Sequence, residues 1–391
     1  MAKLSSSPTG TKSISRWINQ VSALALKAAR TFTREAGLVK TKNSSVESIP
    51  ERNEILLSQK LYAPRQYDEN ATGEDLLKDL SGEIRGKTIL TTGVTLGTLG
   101  GLFVQTIAKA EPAALILAGR NLEKTQATAD ALKAAHPNID VRTLQLDLSS
   151  LAAVRKAAAT LNSMKDLPHI DVLVNNAGMM ATDYKVTVDG FEQQFASNHL
   201  GHFLFTNLIM GKLLASEAPR IVAISSVAHR FSPIRWGDIN FENGESYNKW
   251  RAYGQSKTAN MLMAVSLADK LGPTHGLTAF SVHPGVIATT NLAEHLDFAA
   301  ELPGLAVIDG DFGNLKWDID IVPFISMERG IATHVYGAFE PSLKGNNGAY
   351  LLESRVADAF SDTVKPWATS KVEAERLWKL SEKLVGQEFV Y

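Results

Sequence analysis

From Lys87 onward the chain alternates short apolar runs with longer helical patterns, and no other feature limits its fold so sharply. The runs fall at Thr88–Thr91, Ala114–Leu117, Val141–Leu144, Val172–Val174, Ile221–Ile224 and Thr278–Val282. Between them Leu99–Ala108, Leu122–Ala135, Leu151–Leu161, Phe191–Leu214 and Tyr253–Leu271 carry apolar residues at helical spacing. Continuous apolar strands separated by helices predict an α/β fold, a doubly wound parallel sheet with helices on both faces. Ligands of such sheets bind beyond the carboxyl ends of the strands. The functional argument therefore turns on the residues at those ends.

After the first strand comes Thr92-Gly93-Val94-Thr95-Leu96-Gly97-Thr98-Leu99-Gly100-Gly101, which runs straight into a helix. Glycines in that place permit a tight turn and let the backbone approach a pyrophosphate, and the helix N-terminus offers free N–H groups to it. No Gly-Lys-Ser/Thr follows, which excludes a Walker-type phosphate loop. The second strand ends Leu117-Ala118-Gly119-Arg120-Asn121, and the first acid beyond it is Glu123. An acid at the strand end would bind the ribose hydroxyls of NAD. Arg120 offers instead a permanently charged fork suited to a 2′-phosphate, so the expected cofactor is NADP. Asp147, ending the third strand, reads either as the cap of the next helix or as a contact to the adenine edge. Asn175-Asn176-Ala177-Gly178 closes the fourth strand with small residues that let backbone approach a flat ligand, and Asn176 reads equally well as a turn residue.

At the other end, Ser225-Ser226 closes the fifth strand and Tyr253-Gly254-Gln255-Ser256-Lys257 opens a helix. Tyr253 and Lys257 are one turn apart on one face. An ammonium about 4 Å from a phenol is worth roughly 4 kcal/mol at an effective dielectric of ~20, or about three pKa units. That would bring a phenol from ~10 toward neutrality, where a proton donor or acceptor for an alcohol is most useful. The same spacing also arises on an ordinary solvated face.

Composition narrows the classes. A formal net charge of -1 over 391 residues gives no basic field for nucleic acid. The absence of cysteine removes thiolate chemistry and disulfides and, with no secretory signal, favours a cytoplasmic location. His199 and His202 share a helix face but lack a third ligand, so no metal is expected. Residues 1–84 form an N-terminal extension and 85–391 the catalytic domain. Within the extension, Lys12, Arg16, Lys27, Arg30 and Arg34 precede the first acid, while Trp17, Ile18, Val21 and Leu24 recur at helical spacing. This basic amphipathic segment, residues 12–34, reads as a mitochondrial-type presequence, as a surface for peripheral membrane or partner contact, or as an extension packed on the domain.

Taken in order, Thr92-Gly93, Asn175-Asn176-Ala177-Gly178, Ser226 and Tyr253-x-x-x-Lys257 resemble the short-chain dehydrogenase/reductase family over residues 84–391. That family has a Rossmann-type doubly wound sheet. Val227-Ala228-His229, Gly237-Asp238-Ile239-Asn240 and His283-Pro284-Gly285-Val286 resemble its retinol-dehydrogenase and WW-domain-oxidoreductase-like branch. The resemblance implies an NADP-dependent oxidoreductase that interconverts an alcohol and a carbonyl on a small lipophilic substrate. By the same resemblance Tyr253 is the acid/base, Lys257 lowers its pKa and holds the nicotinamide ribose, Ser226 orients the reacting oxygen, and Asn198 serves the proton relay. Gly93, Gly97, Gly100, Arg120, Asp147, Asn175, Ala177, Gly178, Ile287 and Thr289, with Tyr253 and Lys257, would contact the cofactor. Leu99 departs from the pattern, standing where a third glycine belongs. It is read as part of a loop one residue longer, with Gly100 packing the helix onto the strand. Leu292, Phe298, Leu302, Leu305, Phe312, Trp317 and Phe324 would form the substrate cover or ordinary core. A catalytically silent NADP(H)-sensing protein on the same fold is the competing reading, and loss of Tyr253 or Lys257 would have favoured it.

Overall fold

The computed structural model describes residues 67–313 and 324–391. The basic segment at 12–34 and Trp317 lie outside the described residues. Every predicted strand forms: β1 (Thr88–Thr92), β2 (Ala114–Gly119), β3 (Asp140–Gln145), β4 (Val172–Asn175), β5 (Arg220–Ile224) and β6 (Thr278–His283). They pair in parallel in the order β3-β2-β1-β4-β5-β6. β7 (Tyr350–Leu352) adds a further parallel strand, and the short β8 (Arg355–Val356) ends the edge antiparallel. The direction of winding reverses between β1 and β4, so a crevice opens above their carboxyl ends.

Ten helices flank the sheet among the described residues: α1 (Gly73–Ile84), α2 (Leu99–Ala108), α3 (Leu122–Ala135), α4 (Leu151–Ser163), α5 (Gly201–Leu208), α6 (Met210–Leu214), α7 (Lys249–His275), α8 (Phe298–Asp311), α9 (Met327–Phe339) and α10 (Lys371–Val385), besides shorter turns. Because strand side chains alternate, Leu90, Ile116 and Leu173 point into a core shared with α4, α5, α7 and α10. Ile89, Leu115 and Val174 point into the opposite core, shared with α1, α2, α3 and α9. Burial on both faces explains why these strands read as unbroken apolar runs. No helix of the described residues is long and apolar enough to cross a membrane.

Two predicted boundaries change. The helix expected over Phe191–Leu214 is broken into a turn at Gln193–Phe195, a π-helical turn at Ala196–Leu200, and α5 and α6, which meet at Ile209. The domain boundary at residue 84 is also corrected, because it falls at the end of a helix that belongs to the core. Leu76, Leu77, Leu80 and Ile84 of α1 are buried with residues of α2 and α9. A Cβ on Gly73 would lie 2.7 Å from Ile331 Cδ1, so α1 packs directly on α9. A capping box starts the helix, with Asp75 N donating to Thr72 Oγ1 (3.3 Å) and Thr72 N to Asp75 Oδ2 (3.0 Å). The compact unit begins at Pro64. The composition break read near residue 84 does not coincide with a boundary in the packing.

Candidate active site

A cavity of about 570 Å³ lies above the crevice and runs from the end of β2 to the start of α7. Its end at the glycine loop is built by close backbone approaches. Gly93 and Gly97 have φ of +74° and +77°, which only glycine adopts without strain. A Cβ on Gly93 would sit 2.8 Å from Ala177 Cα, and one on Gly100 2.4 Å from the Gly93 carbonyl oxygen. Gly100 thus lets the start of α2 rest on the loop, and Leu99, the first residue of α2, stands on the cavity wall. Gly97 shapes the turn without reaching that wall. Thr98 caps α2, its hydroxyl accepting from Gly101 N at 3.2 Å, so the following N–H groups face the crevice mouth.

The loop is held by Thr92. Its hydroxyl accepts from Asn176 N (3.0 Å) and Ala177 N (2.9 Å) and lies 3.0 Å from His202 Nε2. With both lone pairs used, Thr92 must donate its proton to Nε2. His202 therefore carries its own proton on Nδ1 and donates it to the Asn198 carbonyl at 3.1 Å. Burial keeps that ring neutral, with its pKa down to about 4. The phosphate loop, the end of β4 and the π-helical turn are thereby tied through one imidazole.

Beyond the ends of β2 and β3, Ala118, Gly119, Arg120 and Asp147 line the cavity. Arg120 is exposed at the rim just before the cap of α3, Lys124 in the first turn of α3 also lines the cavity, and among the described residues neither has an ion-pair partner. Asp147 accepts from Ser149 N (3.0 Å) and Ser149 Oγ (2.6 Å), while Ser150 caps α4, so of the two readings of Asp147 the helix cap falls away. Asn175 is a second correction. It is buried away from the cavity and donates to Thr206 Oγ1 at 3.0 Å. Its neighbour Asn176 reaches the wall instead and donates to the Thr92 and Gly93 carbonyls at 2.8 and 3.1 Å. Strand alternation accounts for the exchange, since adjacent residues face opposite ways.

At the chemical end, Ser226, Tyr253 and Lys257 meet on one wall. Asn248 Oδ1 caps α7, accepting from Trp250 N and Arg251 N at 3.0 Å each. Gly254 lets α7 press on the turn Val227–Phe231, for a Cβ there would meet the Ala228 carbonyl at 2.7 Å. That contact sets the Tyr253 phenol close enough to the Ser226 hydroxyl for Ser226 to lower its pKa. Lys257 Nζ donates to the Ile224 carbonyl at 2.9 Å and lies 5.5 Å from the Tyr253 ring centroid. The electrostatics reverse the expectation of a lowered phenol. Burial pushes Tyr253 up to about 12, offset in part by Ser226, and the same burial brings Lys257 down to about 7. Desolvation is the dominant cause for both groups.

Asn198 is fully buried behind the wall. Its Oδ1 accepts from Met179 N (2.9 Å), and its Nδ2 donates to the Met179 carbonyl and to Ser256 Oγ, each at 2.9 Å. Gly178 leaves a gap between the two ends, because a Cβ there would come 3.1 Å from Asn198 Oδ1 and 3.6 Å from Lys257 Nζ. Ile287 lines the cavity, packed over Gly330 of α9. Thr289 does not: it is exposed, and the buried Thr290 takes the wall position. The segment around Gly285, whose φ is +90°, lines the cavity continuously from His283 to Ile287, turns outward at Ala288 and Thr289, and returns to the wall at Thr290.

Over the chemical end lies α8. Leu302 and Leu305 line the cavity with Leu292 and Phe324. Phe312 packs instead against Trp367 in a tilted arrangement, with centroids 5.1 Å apart. Met179, Met180, Phe231 and Trp250 complete this apolar wall and were not legible in advance. Ion pairs hold α8 down, Lys249 to Glu301, Arg230 to Asp309 and Arg251 to Asp311, and Trp250 Nε1 donates to Glu301 Oε2 at 2.7 Å.

The family model for short chain dehydrogenases matches residues 87–299. The chain belongs to that family of oxidoreductases, whose members use a nicotinamide dinucleotide. Within it the chain sits in the retinol-dehydrogenase-like branch. It is similar to retinol dehydrogenase 14 of Mus musculus, 33% identical over 341 residues that cover 85% of this chain and 93% of that one. Retinol dehydrogenase 13 of Homo sapiens is 35% identical over 306 residues, 78% of this chain and 86% of that one. The chloroplastic short-chain dehydrogenase TIC 32 B of Brassica napus is 33% identical over 326 residues, 82% and 94% of the two chains. Among solved structures, a Mycobacterium paratuberculosis protein superposes with a TM-score of 0.59 at 28% identity, covering 80% of this chain and 98% of that one.

Proposed function

We propose that the protein is an NADP(H)-dependent oxidoreductase that interconverts an alcohol and a carbonyl on a small lipophilic substrate. The observation that carries the reading is one cavity with Arg120 and Lys124, without an ion-pair partner among the described residues, at one end and Ser226, Tyr253 and Lys257 at the other. The nicotinamide supplies or accepts the hydride. Arg120 and Lys124 would hold the 2′-phosphate, and no acid ends β2 to repel it. The glycine loop and the start of α2 would receive the pyrophosphate.

Ser226 orients the substrate oxygen toward Tyr253. Burial keeps the phenol protonated at neutral pH, which is the form needed to give a proton to a carbonyl oxygen during reduction. Lys257 then stabilises the phenolate across their shared helix face and holds the nicotinamide ribose. Asn198 and Lys257 flank the gap at Gly178, where a relay water would return the proton. The apolar wall under α8 accounts for a lipophilic substrate, and the names of the retinol dehydrogenases it resembles point the same way. Both Tyr253 and Lys257 are present and converge, which gives the silent reading no support.

The test is a panel of aldehydes, ketones and alcohols, retinoids among them, assayed with purified protein by the absorbance of the reduced nicotinamide. Turnover with NADPH and weaker turnover with NADH is expected. A protein that binds NADPH yet turns over nothing in the panel would restore the silent reading.

A further inference from the structure

This inference rests on the oxidoreductase reading and concerns how the substrate is chosen. Arg230 lies four residues past Ser226, in the turn Val227–Phe231. It lines the cavity beside Phe231, Trp250 and Tyr253, with 9% of its side chain still exposed. Asp309 of α8 is wholly buried and takes Nε at 2.7 Å and Nη2 in the same pair. Nη1 stays outside that pair, on a guanidinium that borders the cavity.

The wall around it is Met180, Phe231, Leu302 and Leu305, whose side chains offer no acceptor, and Trp250, whose N–H is spent on Glu301. An N–H donor that faces an apolar space loses hydration when the space fills with hydrocarbon. A ligand bringing an oxygen to that spot avoids the loss. Asp309 already balances the guanidinium charge, so the matching group is a neutral oxygen such as a hydroxyl, ketone or ester. Lys365 stands close enough to feel both Arg230 and Asp309, and its charge disfavours a cationic group there.

We propose that Arg230 is a specificity-determining residue that donates from Nη1 to a second substrate oxygen, remote from the reacting carbon. The preferred substrates are then lipophilic carbonyls or alcohols that carry a distal oxygen, and plain hydrocarbon chains are poorer ones.

The probes are linear aldehydes from hexanal to dodecanal, each beside its ω-hydroxy counterpart, so that one chain length spans the distance to Arg230. Replacing Arg230 alone would orphan a buried carboxylate, so the test variant is Arg230→Met with Asp309→Leu, which removes both charges. Its melting temperature and NADPH affinity report whether it is folded. In the parent, kcat/KM for the hydroxy aldehyde at the matching length should exceed that of the plain one by roughly 10- to 150-fold. In the double variant the ratio should fall toward one. Quenching of tryptophan fluorescence, to which Trp250 on the wall contributes, gives the same ratio for binding alone. Discrimination in binding without turnover would sink the oxidoreductase reading and keep this role for Arg230. Turnover without discrimination, or a ratio that survives in the double variant, overturns the role. No turnover and no discrimination would end both.

Discussion

The two ends of the cavity are made of different material. The cofactor end is backbone: glycines with positive φ, the free N–H groups of α2, and the ends of β1, β2 and β4 at fixed spacing. The substrate end is side chains from segments far apart in sequence, Met180, Phe231, Trp250 and Leu305, held under a helix by ion pairs. A surface of backbone allows little variation, because a single Cβ at Gly100 would collide with a carbonyl. A surface of side chains can change residue by residue while the sheet beneath stays fixed. The chemistry that must be kept and the recognition that can vary are thus physically separated.

Acid gives the largest expected effect, and it tests whether the two ends also differ in how they are held together. Burial takes His202 and His334 at the cofactor end, and His229, down to about 4, and takes His199, and His283 at the chemical end, down to about 3. Unfolded histidines bind protons near 6.5, whereas these five do not until pH 3–4, so stability falls as pH drops from about 6.5 through that range. At pH 5 each costs on the order of 2 kcal/mol, a sizeable share of an ordinary domain's stability. Chemical denaturation at pH 7 and 5 should show that loss, with both ends opening together in hydrogen exchange. A protein equally stable at both values would mean the imidazoles are hydrated.

Tyr253→Phe separates the ends most cleanly. It should lower kcat by about 10²- to 10⁴-fold while the dissociation constant of NADPH stays nearly unchanged. Unaltered kcat would remove Tyr253 from the acid/base role. The opposite pattern is expected of Arg120→Ala, which should weaken NADPH by roughly tenfold or more, leave NADH alone, and spare kcat at saturating cofactor. Lys124→Ala should add a smaller loss of the same sign, and equal effects on the two nucleotides would move the phosphate site elsewhere. The smallest effect belongs to the cover. Lys249 and Glu301 are partly exposed, 30% and 20%, so their pair is worth no more than about 1 kcal/mol. Lys249→Gln should raise KM by a few-fold at low salt and by less at high salt, where screening has already weakened the pair in the parent. A change in NADPH affinity instead would tie α8 to the cofactor end.

The same contrast explains what was legible in the sequence. Strand ends, the glycine loop and the Tyr253–Lys257 pair follow from local periodicity and spacing, and the structure brings them to one cavity. Errors of one residue arose where the chain leaves regular structure, at Asn175 against Asn176 and at Thr289 against Thr290. There a single step decides which way a side chain points. Arg230 and Asp309 are 79 residues apart, and no local pattern joins them. The helix α1 was hidden for another reason: it was grouped with the preceding extension on composition, although its Leu76, Leu80 and Ile84 spacing was in plain view.

The Thr92 hydroxyl has a consequence for how this sequence can vary. It gives its proton to His202 and receives two from backbone, so every donor and acceptor at that point is already committed. Serine can take the same part at 92. Valine would leave two buried N–H groups and a ring nitrogen without partners at once. At 202, a side chain that only donates would set proton against proton. Neither position is free to drift while the other is held, and a library randomised at both should return its survivors in matched pairs.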